Sequence, residues 1–311
     1  MKRLLSTTTI VVALLLVNPA ASQEPAVQFV SEQKPSSQAD FDLGYEAKGM
    51  TAPSLCDACG NPDAFCGCGP TWYLEVETIA ARYRRANGTS YDASEPGTAF
   101  DYGRELIPRV TAGVVLNSGL GVRLRYFDYD HGDTNANGVA SCVDANVIDL
   151  ELFENLRFTN TTALEWAIGI RRNEFTETVD PHPHFGNDLF GVDYEGYGLI
   201  AGLEVNRLVR WGSVYARGRG ALLMGDREVS APGAGYPLLV QQDVTPGMLE
   251  FAIGWEFSHV CRNGLVLTSG IGWEVQQWMN YSIAATAASL PTTDPVDVGF
   301  DGAIFSLAVG Y

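Results

Sequence analysis

From Trp72 to Tyr311, apolar and non-apolar side chains alternate with a period of two, in segments longer than soluble strands. In the last segment Ala303, Phe305, Leu307, Val309 and Tyr311 alternate with Gly302, Ile304, Ser306, Ala308 and Gly310. Likewise Leu249, Phe251, Ile253, Trp255 and Phe257 alternate with Glu250, Ala252, Gly254 and Glu256, and Leu164, Trp166, Ile168 and Ile170 with Glu165, Ala167, Gly169 and Arg171. This is the repeat of a strand, not of a helix. One face is aliphatic and aromatic; the other is Gly, Ala, Arg and Glu.

Ten such segments fall at about 72–85, 104–116, 120–130, 145–158, 162–176, 194–206, 212–225, 246–258, 264–281 and 298–311. Each reaches or exceeds the roughly 9–11 residues with which a tilted strand crosses hydrocarbon. Connections after the odd-numbered segments are long and rich in Asp, Gly, Asn and Pro; those after the even-numbered ones are short, as at Asn117-Ser118-Gly119 and Thr159-Asn160-Thr161. Bacterial barrels alternate outer loops and periplasmic turns in this way. A secreted β-sandwich also alternates its side chains, but nothing in it requires alternating connection lengths. The expected fold is therefore all-β, a transmembrane antiparallel up-and-down barrel of about ten strands over 71–311, with a disordered, Cys-rich leader. Two irregularities need accommodation. Trp72, Leu74 and Val76 share one phase while Ile79, Ala81 and Tyr83 share the other, which predicts a bulge. Glu154 falls among Ile148, Leu150, Leu152 and Leu156, which predicts a bulge or a place near the rim.

The first residues carry a different signal. Lys2 and Arg3, the apolar run Ile10–Val17 and the small residues Ala20-Ala21-Ser22 predict a cleaved signal peptide over 1–22. Residues 23–70 are expected to form a periplasmic linker: a Ser-, Gln-, Pro- and Ala-rich stretch that cannot fold alone, then Cys56, Cys59, Cys66 and Cys68. In an exported protein these four point to disulfides or crosslinks to a periplasmic or cell-wall partner; their spacing is too close for a usual zinc ribbon. Cys142 is expected on an outer loop and Cys261 in a periplasmic turn, too far apart to bond.

The net charge of −17 argues against a nucleic-acid partner. Lys occurs only at positions 2, 34 and 48, so every later cation is Arg, the residue suited to paired, partly desolvated sites. Phasing the strands by their apolar faces predicts a charged lumen. Its acids are Glu75, Glu77, Asp149, Glu151, Glu165, Glu204, Glu250, Glu256, Glu274 and Asp301; its bases are Arg109, Arg123, Arg125, Arg157, Arg171, Arg217 and Arg219. Such a ring can form bidentate pairs across the interior. It reads as a mildly cation-favouring channel or, equally, as a salt-bridged plug.

Asp133, Asn135 and Asn137, with Gly138 and Asp144, match the oxygen-ligand spacing of a calcium loop, although Asp replaces the final Glu; a polar turn is the simpler reading. His182-Pro-His184 lacks an obvious third ligand. A protease at the outer rim would need an Asp/His pair, for which His131 with Asp130 or Asp133 is the nearest candidate; with no hydrolase or nucleotide motif present, the chain is expected not to be an enzyme.

Trp72-Tyr73-Leu74-Glu75, Leu124-Arg125-Tyr126-Phe127-Asp128-Tyr129, Val147-Ile148-Asp149-Leu150-Glu151, Gly220-Ala221-Leu222-Leu223-Met224-Gly225, Gly270-Ile271-Gly272-Trp273-Glu274-Val275-Gln276-Gln277-Trp278 and Val298-Gly299-Phe300-Asp301-Gly302 follow one another in order. Together they resemble the Legionella major outer-membrane protein family, pore-forming barrels with many planctomycete members. The resemblance spans about Trp72 to Tyr311. It implies an outer-membrane location, a lipid-facing wall, a proposed pore and, through the strand ending at Tyr311, recognition by the barrel-assembly machinery. Three functions follow as expectations: a passive pore for small solutes or ions, a closed structural or adhesive barrel displaying its loops, and, least supported, the rim protease.

Overall fold

A computed structural model describes residues 71–85, 102–135, 138–182, 188–230, 239–261, 264–283 and 295–311. The expected signal peptide, the leader and its four cysteines lie outside these residues. The described chain is all strand: β1 Thr71–Arg85, β2 Arg104–Val115, β3 Leu120–Thr134, β4 Ala140–Thr159, β5 Thr162–His182, β6 Asp188–Val209, β7 Gly212–Ser230, β8 Leu239–Val244, β9 Gly247–Val260, β10 Val266–Ile283 and β11 Pro295–Gly310. Each pairs antiparallel with its neighbours, and β1 pairs with β11. Reciprocal bonds of 3.0 Å between Trp72 and Tyr311 finish that seam.

β8 and β9 are two halves of one stave. β8 pairs with the outer part of β7 and β9 with its inner part. The break falls at Pro246, which has no N–H to give to a ladder, and the Leu223 amide reaches its carbonyl at 3.0 Å. The result is a closed barrel of ten staves. Following the rungs from Glu77 through β2 to β6 ends at Gly225 of β7, and through β11, β10 and β9 at Ser213 of the same strand. That stagger corresponds to a tilt of about 40° and a backbone radius of about 10 Å.

The outside is apolar and the inside is not. Leu222 is 69% exposed and Phe305 and Ile168 are each 50% exposed, whereas Arg109 is 0% exposed. Two stacked sheets would have buried Phe305 and Ile168 between them, so the sandwich alternative is removed. Short turns close one end: Gly119 (φ 88) and Gly264 (φ 84) take the left-handed conformation that the turns after β2 and β9 require.

Three expectations change. β1 has no bulge, for it runs in unbroken register with β2 and β11. Ile79, Ala81 and Tyr83 point inward because the upper lumen is itself apolar. Strands also continue well past the predicted segments. The β3–β4 connection shrinks to Asn135–Val139, since above the apolar band the outer face turns polar while Tyr129, Val143 and Ala145 face inward, so the apolar phase inverts although the ladder does not break. Cys142 accordingly lies in β4 rather than in a loop; it and Cys261 are free thiols. Glu154 faces outward one turn from the end of β4, where Trp166 Nε1 donates to it at 3.2 Å, the rim position expected.

Candidate functional site: the charged lumen

Inward-facing side chains form three layers. At the turn end lies a cavity of about 170 Å³ lined by Tyr73, Glu75, Arg123, Phe153, Glu165, Glu204, Arg217 and Glu256, among others. Above it is an ionic layer. Arg109 donates from Nη1 and Nη2 to Glu274 at 2.7 and 2.8 Å, and also binds Glu77. Arg217 reaches the same two carboxylates, Glu77 at 3.3 Å and Glu274 at 3.1 Å. Arg171 chelates Asp149 at 2.6 and 2.8 Å and reaches Glu250 at 2.7 Å. Arg125 meets Glu250 at 2.9 Å from a stave five places round the wall, so that pair spans the full lumen. Arg123 joins Glu151 at 2.6 Å and Glu165 at 2.5 Å, and Arg219 joins Glu151 and, at 3.4 Å, Asp149.

The pairing balances. Six arginines, Arg109, Arg123, Arg125, Arg171, Arg217 and Arg219, hold six carboxylates, Glu77, Asp149, Glu151, Glu165, Glu250 and Glu274. The other three acids predicted for the lumen that face inward, Glu75, Glu204 and Glu256, all line the cavity. In the lower half of the lumen the surplus negative charge is thus gathered at the turn end.

The third layer is aromatic. Phe127, Tyr129, Tyr83, Trp278 and Phe300 pack around one another, with ring centroids of Phe300 at 4.9 Å from Tyr129, 5.1 Å from Trp278 and 5.5 Å from Tyr83. Phe175, Tyr194 and Tyr281 complete it on the β5–β6 side. A register shift in β10 between Trp278 and Ser282, with Asn280 at φ 64, changes the phase so that Trp278, Tyr281 and Ile283 are all buried. At its outer edge buried Glu177 accepts from Arg85 Nη1 at 2.8 Å, Ser282 Oγ at 2.6 Å and Tyr83 OH at 3.1 Å. Tyr102, just ahead of β2, shares a 2.6 Å bond with Ser141, and burial pushes its phenol above the ordinary value. Both side-chain polar atoms of Asn173 and the hydroxyls of Tyr129, Tyr194 and Tyr281 are buried without a hydrogen-bond partner among the described residues. Each bare group would cost about 1–3 kcal/mol.

Two predicted lumen residues are elsewhere. Asp301 faces outward, in the phase of Ala303 and Phe305, because Arg84 on the same outer face binds it, with an Nη2 contact of 3.3 Å. Arg157 is exposed at the turn end of β4, below the cavity lining. The calcium spacing is also dismantled. Asp133 faces in and Asp144 faces out, on opposite sides of the β3–β4 ladder, and Asn135 Oδ1 instead accepts the Val139 amide at 3.0 Å. Asn137 and His184 lie outside the described residues. His131 Nδ1 lies 3.4 Å from Glu105 Oε2, while Asp130 points to the outer face.

Sequence reasoning missed the aromatic layer, although Gln276 and Trp278 share the parity of Glu274, and Arg85 that of Glu77. Tyr281 carried no such signal, because the bulge at Asn280 breaks the count.

A closed antiparallel barrel, banded with aliphatic residues outside and packed with charge inside, is an outer-membrane barrel. The profile described as Legionella pneumophila major outer membrane protein precursor matches residues 73–310, and the chain belongs to that family and to the outer membrane. No curated protein matches it by sequence. Among solved structures it is similar to the outer membrane protease OmpT from Escherichia coli, at 9% identity and a TM-score of 0.44, covering 80% of this chain and 98% of that one. It is similar to the translocator domain of the autotransporter NalP from Neisseria meningitidis at 11% identity and a TM-score of 0.45, covering 82% and 92%. A FadL homologue of Pseudomonas aeruginosa shares 9% identity at a TM-score of 0.28, covering 78% and 89%. The expectation that the chain is not an enzyme is corrected here: a protease stands among these barrels, and the likeness supports the barrel alone, leaving catalysis neither shown nor excluded.

Proposed function

We propose that the protein is a narrow outer-membrane pore for small ions or solutes, held shut at rest by the contents of its own lumen. The observation that carries this reading is the balanced ionic layer, approached from the turn end by a cavity with three surplus carboxylates. Buried ion pairs are seldom more stabilising than well-packed apolar residues of the same volume. A lumen needed only as filler has no cause to hold six arginines. Excess carboxylate at the mouth raises the local concentration of cations and lowers that of anions.

Planar bilayers test this directly. Purified protein should give brief, discrete conductance steps whose reversal potential in a salt gradient favours cations; a silent bilayer at high protein removes the reading. The second reading, a closed structural or adhesive barrel tied to the envelope through its cysteines, draws support from the complete burial of Trp278 and Tyr281. It predicts envelope crosslinks broken by reductant and no conductance.

A further inference from the structure

The aromatic layer is not uniform around the wall. Toward β1, β3 and β11 the polar atoms of Tyr83, Tyr102 and Trp278 are taken up by Glu177, Ser141 and Gln276, and the Tyr129 hydroxyl is the one left without a partner among the described residues. On the β5 and β6 side, four buried polar atoms have no partner among the described residues: the Asn173 oxygen and nitrogen and the hydroxyls of Tyr194 and Tyr281.

These atoms lie along one seam of the wall. Asn173 is the next inward residue above Arg171 on β5, and its rung partner is Gly196. The Tyr194 hydroxyl lies over Gly196, where any Cβ would collide with it. The rings of Tyr194 and Tyr281 stand 5.3 Å apart, edge to face. Below the seam, a void of about 10 Å³ opens between Asp149, Arg171, Glu250 and Gln276, room for about one water. Above it, Tyr194 pairs in register with Arg227, which donates to the carbonyls of Asn280 and Ser282 at 3.0 and 3.1 Å and to Gln241 at 2.8 Å. Polar groups with no partner among the described residues thus cluster on this side of the aromatic layer, between the ionic layer and Arg227.

We propose that this seam is the permeation route through the outer half of the barrel, and that it passes water and small inorganic ions rather than organic solutes. Buried polar groups in native proteins are hydrogen-bonded. A file of water along Asn173, Tyr281 and Tyr194 satisfies all four atoms and replaces part of the hydration shell of a passing ion. The opposite side of the layer offers a single such group, the Tyr129 hydroxyl. The inference rests on the pore reading and names its route and permeant class.

The test uses the full-length barrel in proteoliposomes and planar bilayers, comparing wild type with Asn173→Leu, Tyr281→Phe and the control Tyr129→Phe. The control removes an equally buried, unpartnered hydroxyl away from the seam. Osmotic water flux and potassium conductance should fall about tenfold in the two seam variants, the effect of losing one required hydrogen bond. The control should match wild type, and urea midpoints of the seam variants should not rise. Seam variants that conduct like wild type overturn the route alone, and a raised urea midpoint in them shows the groups were merely unpaired. A wild type impermeable to both water and ions removes the pore reading, and the route with it.

Discussion

At Arg109 the chain has committed a cation to a place with no solvent at all. Its guanidinium serves Glu77 and Glu274 together, and both carboxylates are almost wholly buried. Removing one partner of such a group is far more damaging than removing the group entire, because the carboxylates left behind keep their charge and lose its compensation. Arg109→Ala should therefore destabilise the barrel by about 3–5 kcal/mol. The double change Glu77→Gln, Arg109→Leu, which leaves Arg217 paired with Glu274, should recover most of that loss. Urea unfolding followed by tryptophan fluorescence checks the order; a double variant weaker than Arg109→Ala would refute it. The Arg84–Asp301 pair makes the contrast. Arg84 is 59% exposed, so solvent screens the interaction and little stability rests on it.

At the level of the strand, what could be read in advance followed the outer face. Ile168, Phe251 and Phe305 announce their orientation because hydrocarbon tolerates nothing polar beside them, and that requirement repeats every second residue. The inner face obeys no such single rule. Glu75, Glu77, Arg109 and Arg171 were found by parity because they share a strand with a strong outer signal. Ile79 and Tyr83 were misread as a change of phase, since an apolar inner residue is indistinguishable by pattern from an outer one. Asp301 was assigned by its charge against its own parity. Beyond the band, in the outer parts of β3 to β7, the outer face is polar and the apolar residues, such as Val143, Phe175, Val192 and Val229, face inward, so the outer signal is lost and the ladder shows that the strands go on. The outer band gives its own test. Ile253 of β9 is 60% exposed between Phe251 and Trp255, inside that band. Ile253→Arg should cost about 2–4 kcal/mol in lipid, while arginine at the rim residue His259 should cost about 0–1 kcal/mol. Equal penalties at the two sites, measured by reversible unfolding in bilayers, would contradict the height assigned to the band.

For the molecule as a whole, the question is which layer keeps the lumen shut. Charged side chains can exchange partners as an ion passes, each carboxylate or guanidinium taking over from the last, so the ionic layer filters more than it blocks. The aromatic layer has no such exchange to offer on its apolar side. Trp278 is its largest member, fully buried and held by Phe127, Phe175, Tyr281 and Phe300. Trp278→Ala opens a void that the rigid wall of hydrogen-bonded staves cannot collapse to fill, at a cost of about 3–5 kcal/mol. A barrel that survives this change should show larger and longer conductance steps than wild type. Cation preference should persist, because Glu75, Glu204 and Glu256 remain at the mouth. Planar bilayer recordings in a salt gradient read both quantities at once. Conductance unchanged by Trp278→Ala in a correctly folded barrel would move the barrier down to the ionic layer, and enlarged conductance with lost selectivity would mean that the three carboxylates do not set which ions enter.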